Sequence, residues 1–335
     1  MTYEGTLPEP GGNVGVVMRE AVFLGVEGGG SKARAIGEYQ GRVCVRLEGN
    51  GLNPRDISRR EFEARLRSLV TPLLEALPGP LRGSRVPIYG YFALAGAGKP
   101  AVRRKCRNAV ARVLKIYGSC RRTYVTTDSG ALVERYLKDR EGLVLIAGTG
   151  SICVAVRHVG GRRRVVRVGG KGGSLDEGSG YWIGARLVQS VLEVPPRPGE
   201  RSICAGLLLK DYGISASEVV SEFPPRERSK VASLAPIILR GYGRRDRFAR
   251  GVVVEAISDL VGLVVAAAEQ AGIRDKADLY LAGGLFMNET FDALFRQEVH
   301  WLLPGLAPHA SADDLTALLQ LAKQLRASPR LRRRR

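Results

Sequence analysis

Runs of apolar residues that end in glycine-rich turns recur along the chain, and two similar ones define its organisation. Residues 22–36 read VFLGVEGGGSKARAI, and residues 143–156 read LVLIAGTGSICVAV. In each segment a strand-like run enters a turn of Gly with Ser or Thr, and a second extended run leaves it, which predicts a β-hairpin. Amide groups and hydroxyls at such a tip suit a phosphate group. Two of them predict a duplicated architecture with a nucleotide-binding cleft between the halves.

Strand-like and helix-like patterns alternate through the rest of the chain. Ser58, with Glu61 three residues later, predicts a capping box that starts a helix to about Leu77. Buried strands over 86–94 and 123–127 each precede a helical pattern, which predicts an α/β fold with a partly parallel sheet. Further strands are predicted over 165–168 and 278–281, and helices over 101–116, 129–136, 181–192, 201–210, 216–222, 229–241, 246–271, 288–295 and 313–325.

These patterns divide the chain into two domains with extensions. We expect a flexible N-terminal extension over 1–20, which contains Pro and Gly. The N-terminal domain is predicted over 21–128 and the C-terminal domain over 129–312. We expect the helical segment 313–327 to pack on the N-terminal domain, and the basic tail 328–335 to be solvated.

Composition excludes several classes of protein. The chain has 335 residues, 44% of them hydrophobic, which is enough for two cores, and it has no uninterrupted apolar run of membrane-spanning length. The first twenty residues lack the pattern of a secretory signal, so we expect a cytoplasmic protein without a membrane partner. The five cysteines form no CxxC pair and the three histidines no HxxxH pair, which disfavours a zinc site.

A net charge of +19 favours a nucleic-acid partner, because basic surfaces bind phosphate backbones. The basic residues are nevertheless spread along amphipathic segments, and no nucleic-acid-binding motif is present. We therefore consider a small-molecule partner the better hypothesis. The GAGK sequence at 96–99 is interpreted as a plain turn, because Ala93 and Pro100 replace the Gly and Ser/Thr of a phosphate-binding P-loop.

Candidate carboxylates lie at strand ends or beside glycine turns: Glu27, Asp128, Asp176 and Glu177. Ligands of open α/β sheets bind at strand ends, where a carboxylate can hold Mg²⁺ through water or take a proton. Glu27 suits the magnesium contact, and Asp128 suits a general base. Glu27 could equally be a surface acid, Asp128 a helix N-cap, and Asp176 and Glu177 turn acids. Asn53 could be an ordinary loop residue.

Six motifs together resemble one known family. They are VEGGGSK, NGLNP, TTDSG, IAGTGSI, DEGSGYWIG and LAGGLF, in this order. This combination resembles the N-acetylglucosamine kinase branch of the BadF/BadG-type ATPase family, within the sugar kinase, Hsp70 and actin superfamily. The resemblance covers about residues 22–295. It implies two ribonuclease H-like (actin-like ATPase) domains that close over ATP and a sugar in the cleft between them.

The resemblance also implies residue roles. Asp128 would be the catalytic base and would bind the sugar. The family pattern has Trp and Gly where this chain has Lys171 and Leu175, in a loop one residue shorter, so N-acetyl specificity stays open. The implied sugar contacts are Asn53, Asp128, Gly170, Lys171, Gly172 and Asp176, and the implied ATP contacts are Gly29, Gly30, Ser31, Gly148, Thr149, Gly150, Ser151, Gly283 and Gly284.

The implied reaction is phosphoryl transfer from MgATP to a hydroxyl, by resemblance the primary one, of N-acetylglucosamine or a related hexose or hexosamine. A homodimer is left open. One alternative is the family's activator ATPases for 2-hydroxyacyl-CoA dehydratases and benzoyl-CoA reductase, whose subunits share an iron–sulfur cluster through cysteines. Ala147 precedes the second turn, and no cysteine pair flanks the motifs. A second alternative is a sugar-sensing regulator that binds nucleic acid.

Overall fold

Two β-sheets of the same design organise the molecule. The computed structural model describes residues 21–76, 86–117, 119–192, 203–274, 276–311 and 314–327. The first sheet has the strand order β3-β2-β1-β4-β5 and the second the order β10-β9-β6-β7-β8. The strands are β1 (Val22–Gly28), β2 (Lys32–Tyr39), β3 (Arg42–Asn50), β4 (Pro87–Leu94), β5 (Ser119–Thr126), β6 (Gly142–Ala147), β7 (Ser151–Val159), β8 (Arg162–Gly169), β9 (Ala277–Ala282) and β10 (Leu306–Ala310).

Each sheet combines an antiparallel meander with two parallel strands. In the first sheet β1, β2 and β3 are antiparallel neighbours, while β4 pairs parallel with β1 and β5 with β4. In the second sheet β6, β7 and β8 form the meander, and β9 and β10 continue in parallel from β6. The two halves therefore repeat one topology, and the duplication predicted from the two hairpins is confirmed.

Helices cover both faces of each sheet. They are α1 (Arg59–Glu75), α2 (Pro100–Leu114), α3 (Asp128–Tyr136), α4 (Gly180–Leu192), α5 (Ile203–Tyr212), α6 (Val219–Glu222), α7 (Arg228–Ala232), α8 (Ala235–Gly243), α9 (Arg247–Ala271), α10 (Glu289–Leu302) and α11 (Asp314–Ala327). Short 3₁₀ turns lie at Gly173–Leu175, Ala216–Glu218 and Gly284–Met287.

Alternation along β1 explains how the first sheet is covered. Leu24 and its neighbours two residues away belong to the cluster formed with α1 and α2. Phe23 packs instead with Leu318 and Leu319 of α11 on the opposite face. Gly25 permits this approach, because a Cβ there would lie 2.9 Å from the Cβ of Leu318. The last described helix therefore lies against the N-terminal domain and not against the domain that precedes it in sequence.

The second core is built around α9. This 25-residue helix is long and apolar enough to cross a membrane by length and composition, although Glu255 and Asp259 interrupt its apolar residues. Half of its most apolar window is buried within the protein. Val253 and Leu260 belong to the same core cluster as Leu143 of β6. The helix is accordingly the central core helix of the second domain.

Helix α3 connects the two domains. Leu132 and Val133 pack with residues of the second sheet, whereas Ala131 packs with Tyr91 of the first. The predicted domain boundary after residue 128 thus falls at the first residue of this connecting helix. Charges from both domains, those of Glu27 on β1 and Arg167 on β8, act on its first residue, Asp128.

Several sequence predictions differ from the structure in detail. Strand β3 extends to Asn50, which pairs with Lys32 of β2, so Asn53 lies in the loop that follows this strand. The helix predicted over 229–241 is divided into α7 and α8, since Pro236 lies in the first turn of α8. Strand β10 was absent from the prediction. The segment predicted as helix over 216–222 begins as a 3₁₀ turn.

Two helix caps also differ. The amide of Glu61 donates to the Ser58 hydroxyl, but the Glu61 carboxylate accepts from Arg65, so the capping box is one-sided. Thr127, and not Asp128, caps α3, because its hydroxyl accepts from the amide of Gly130. The predicted N-terminal extension 1–20 and basic tail 328–335 lie outside the described residues.

Candidate active site

The tips of the two glycine hairpins meet between the domains. Ser31 Oγ, on the turn between β1 and β2, lies 3.1 Å from Thr149 Oγ1, on the turn between β6 and β7. Gly30 also borders this contact, since a Cβ there would lie 3.4 Å from Thr149 Oγ1, an ordinary van der Waals distance. The prediction that the two turns face one another is confirmed. Two hydroxyls and the adjoining turn amides share one small region.

The loop after β3 is fastened to the first hairpin by its backbone. The amide of Gly51 donates to the Ser31 carbonyl at 3.2 Å, and that of Leu52 donates to the Gly29 carbonyl at 3.0 Å. A Cβ on Gly51 would lie 2.1 Å from the Gly30 carbonyl oxygen, so a side chain cannot fit without displacing the hairpin. The position of Asn53 is therefore set relative to the first turn.

Asn53 is buried and makes two local hydrogen bonds. Its Oδ1 accepts from the amide of Arg55 at 3.0 Å, and its Nδ2 donates to Asp56 Oδ2 at 2.7 Å. The first bond is the Asx turn typical of a loop asparagine. The second fixes the side-chain amide, which lies beside Gly96 of the turn after β4. The loop role is thus observed, and the sugar contact stays a prediction.

The 283–284 turn packs against the second hairpin. A Cβ on Gly283, whose φ is 104°, would lie 2.3 Å from the Ala147 carbonyl oxygen. Above Gly284 there is open space, since a Cβ there would meet no heavy atom within 4 Å. This opening lies beside the second hairpin, since a Cβ on Gly148 would lie 4.0 Å from the Gly284 amide nitrogen.

Ser151 does not join the meeting hydroxyls. It is buried, and its hydroxyl donates to the Glu177 carbonyl at 2.7 Å. Ser151 is the first residue of β7, so this hydrogen bond joins the second hairpin to the glycine-rich loop. The phosphate contact predicted for its hydroxyl is not supported by this geometry. Its backbone remains part of the turn.

Asp176 holds the glycine-rich loop against the second hairpin. The loop turns through Gly169, Gly170 and Gly172, whose φ angles are 79°, 66° and 96°. Asp176 is buried, and its Oδ1 accepts from the amide of Gly172 at 2.8 Å. A Cβ on Gly150 would lie 2.5 Å from Asp176 Oδ2. The adjacent Lys171 is exposed.

Asp128 lies at the start of α3 with charges of both signs nearby. Burial raises the pKa of its carboxyl. The hydrogen bond from the amide of Ser129, at 2.8 Å to Oδ1, and the charge of Arg167 act to lower that pKa, while the charge of Glu27 acts to raise it. A raised pKa makes a carboxylate a stronger proton acceptor than an ordinary aspartate.

The family model BadF/BadG/BcrA/BcrD ATPase matches residues 24–301 of the chain. The chain belongs to this family. Two curated relatives of this family member are kinases. An N-acetylmuramic acid/N-acetylglucosamine kinase from Clostridium acetobutylicum is 26% identical over 271 residues, 79% of this chain and 85% of the relative. An N-acetyl-D-glucosamine kinase from Dictyostelium discoideum is 22% identical over 280 residues, 80% of this chain and 86% of the relative.

Solved structures share the two-domain fold. A Chromobacterium violaceum protein assigned as an N-acetylglucosamine kinase superposes with a TM-score of 0.66 at 21% identity, over 90% of this chain and 99% of its own. A Porphyromonas gingivalis protein with the same assignment gives 0.67 at 20% identity, over 91% and 100%. This BadF/BadG/BcrA/BcrD ATPase therefore has the predicted fold of two ribonuclease H-like domains.

Three arginines in the cleft of this ATPase were not anticipated. A Cβ on Gly172 would lie 3.6 Å from both terminal nitrogens of Arg55, and one on Gly98 would lie 3.2 Å from Arg167 Nη1. Arg228 contacts carboxylates from both domains. Arginine is frequent throughout this chain, and no spacing distinguishes these three. The turn at 96–99, predicted as a plain turn, lies between Asn53, beside Gly96, and Arg167, beside Gly98.

Carboxylates near the hairpins are the candidate ligands for Mg²⁺. Within the described part of the chain no group of three His, Cys, Asp or Glu residues could enclose a metal ion. Mg²⁺ in phosphoryl-transfer sites keeps waters and takes one or two carboxylates together with substrate phosphates. The Glu27 carboxylate is held by Arg34, whose Nε and Nη2 donate to its Oε2 at 3.0 and 2.5 Å, and its contact to Mg²⁺ through water stays a prediction.

Gly51→Ala tests how tightly the 51–53 loop and the first hairpin are packed. We expect the free energy of unfolding to fall by about 1–3 kcal/mol, because the added methyl group displaces the Gly30 carbonyl. Urea denaturation measures the change. The matched control is Gly251→Ala on α9, where the methyl group meets no heavy atom within 4 Å. That variant should be stabilised by about 0.5–1 kcal/mol, and equal effects of the two substitutions would contradict the packing.

Proposed function

We propose that this protein is an ATP-dependent sugar kinase that phosphorylates a hydroxyl of N-acetylglucosamine or a related hexosamine or hexose. The observation that carries the proposal is the meeting of Ser31 and Thr149 between the domains, with Asp128 in the same cleft near Glu27. The kinase names of the curated relatives support it. We expect the reaction in the cytoplasm, and a homodimer stays a prediction.

In this proposal the two hairpins bind the phosphate chain. Turn amides and the hydroxyls of Ser31 and Thr149 donate to the phosphate oxygens, whose charge is spread in the transition state. The open space above Gly284 receives the nucleoside. Glu27 would hold Mg²⁺ through water, and the ion neutralises phosphate charge when bound.

Asp128 takes the proton of the attacking sugar hydroxyl. Its Oδ1 already accepts from the amide of Ser129, so Oδ2 is the proposed proton acceptor. Asn53 and the loop that Asp176 holds supply the contacts that orient the sugar. Domain closure would exclude water and limit wasteful hydrolysis of ATP. Catalysis in this account is mostly positioning and charge stabilisation.

The activator-ATPase alternative receives no support from the described cysteines. Cys106, Cys153 and Cys204 are buried, and each lies in the hydrophobic core of a single domain. A cluster shared between two subunits needs thiolates at a subunit surface. Burial also raises the pKa of Cys106 to about 11, which disfavours its thiolate. Apart from the net charge of +19, no contact among the described residues points to the nucleic-acid alternative.

A coupled ADP-release assay tests the proposed function. The acceptors are glucose, mannose, glucosamine, N-acetylglucosamine and N-acetylmuramic acid, each without added partner protein. We expect sugar-dependent ADP release with at least one of the hexosamines, and a phosphorylated sugar visible by mass spectrometry. ADP release that no sugar stimulates would contradict the proposal.

Asp128→Asn tests the proposed base. We expect turnover to fall by about 10²-fold or more, because the amide cannot take the hydroxyl proton. The affinity for ATP, measured by calorimetry, should stay unchanged. Asp211→Asn on α5 is the control, since Asp211 pairs with Arg240 in the C-terminal domain. Asp128 has no role as the base if its variant keeps the turnover of the control.

The pH profile of turnover tests the charges around Asp128. The base acts when ionised, and its raised pKa places the acid limb of the profile above the usual range of an aspartate. Arg167→Gln removes a charge that lowers this pKa, so the limb should move to higher pH. Glu27→Gln removes a charge that raises it, so the limb should move to lower pH. If the acid limb moved in the same direction in both variants, the assignment of these charges would be contradicted.

A further inference from the structure

Arg228, the first residue of α7, contacts carboxylates from both sides of the cleft. Its Nη1 lies 3.9 Å from Asp56 Oδ1, in the loop after β3, and its Nη2 lies 3.6 Å from Asp176 Oδ2, in the glycine-rich loop. The side chain of Arg228 is 17% exposed and that of Asp176 4%. Such shielded charges interact more strongly than exposed surface pairs.

Each of these carboxylates uses its other oxygen to hold a predicted sugar contact. Asp56 Oδ2 accepts from Asn53 Nδ2 at 2.7 Å. Asp176 Oδ1 accepts from the amide of Gly172 at 2.8 Å. One continuous series of contacts therefore runs from Asn53 in the N-terminal domain, through Arg228, to Gly172 in the C-terminal domain.

The start of α7 is also close to both phosphate hairpins. A Cβ on Gly30 would lie 3.4 Å from the hydroxyl of Ser229, the residue after Arg228. The guanidinium of Arg228 lies 5.8 Å from the ring of Tyr181, whose amide donates to the Thr149 carbonyl. Arg228 thus connects the sugar loops at a point where the phosphate loops already meet.

The two ion pairs of Arg228 are long enough to become shorter. Distances of 3.6 and 3.9 Å are those of ion pairs and exceed hydrogen-bond lengths. The buried Nε has no hydrogen-bond partner within the described residues. A small closing movement of the domains would convert the two ion pairs into charge-assisted hydrogen bonds, which are stronger.

We propose that Arg228 is a positioning residue that couples closure of the domains to the arrangement of the sugar site. The inference rests on the proposed kinase function. Arg228 acts through Asp56 on Asn53 and through Asp176 on the glycine-rich loop, and it does not touch the reacting atoms. Sugar binding and domain closure thereby favour one another, while ATP meets the hairpins directly.

Arg228→Gln tests the inference in steady-state kinetics. We expect KM for the sugar to rise about tenfold or more, the effect of about 1.4 kcal/mol of lost interaction, with KM for ATP little changed. Arg228→Lys keeps the charge and should recover part of the loss. The control is Arg186→Gln. Like Arg228, Arg186 pairs with a carboxylate, that of Glu255, lies over an aromatic ring, that of Trp182, and has a buried Nε without a hydrogen-bond partner among the described residues. All of its partners belong to one domain, so its loss should not affect closure.

Asp56→Asn provides the second test. The amide keeps an acceptor for Asn53 and removes the charge that faces Arg228. We expect it to raise KM for the sugar as well, and the double variant with Arg228→Gln should lose less than the product of the two single effects. If Arg228→Gln folds poorly, the KM values for sugar and for ATP are compared in Arg228→Lys and Asp56→Asn instead.

The results separate the two proposals. Suppose that the wild-type enzyme phosphorylates sugar. If Arg228→Gln then leaves both KM values unchanged, or raises the KM for sugar and the KM for ATP equally, the proposed role of Arg228 is wrong and the kinase function stands. Independent, multiplicative effects of Asp56→Asn and Arg228→Gln overturn it too. A wild-type enzyme that phosphorylates no sugar overturns the proposed function and this inference together.

Discussion

The contact between Ser31 and Thr149 is the point on which a common site for the two domains depends. Each hydroxyl lies at the tip of a hairpin that begins its own five-stranded sheet. Gly51 allows the next loop to lie directly on the first tip, because a Cβ there would lie 2.1 Å from the Gly30 carbonyl oxygen. With a larger residue at position 51 the two sheets could still fold, but the loop that carries Asn53 would be displaced from the first hairpin tip.

Charge in the cleft is balanced across the domains. The carboxylates of Glu27 and Asp128 repel one another, and the charge of Glu27 acts to raise the pKa of Asp128. The compensating arginines come from the opposite side in two cases, since Arg167 on β8 acts on Asp128 and Arg228 on α7 acts on Asp56. The charges that stabilise the acids therefore also connect the domains, so domain closure and the electrostatics of the cleft depend on the same residues.

The hairpins and the domain duplication were predictable because local sequence encodes them. Apolar runs fix the strands, and glycines with hydroxyl residues fix the turns. The edge strand β10 was not predictable in this way, because LAPHA contains Pro308 and is largely exposed. The role of Arg228 depends on partners far away in sequence, Asp56 among them. The hydroxyl of Ser151 carries the turn motif but turns inward, which only tertiary packing decides.

Amide hydrogen exchange, with and without a non-hydrolysable MgATP analogue, measures the central claim most directly. Nucleotide should slow exchange in residues 28–31 and 148–151 together, since both hairpin tips would donate to the same phosphate chain. Calorimetry verifies that the analogue is bound. If the bound analogue slows exchange at one tip and leaves exchange at the other unchanged, a phosphate site shared by the two domains is contradicted.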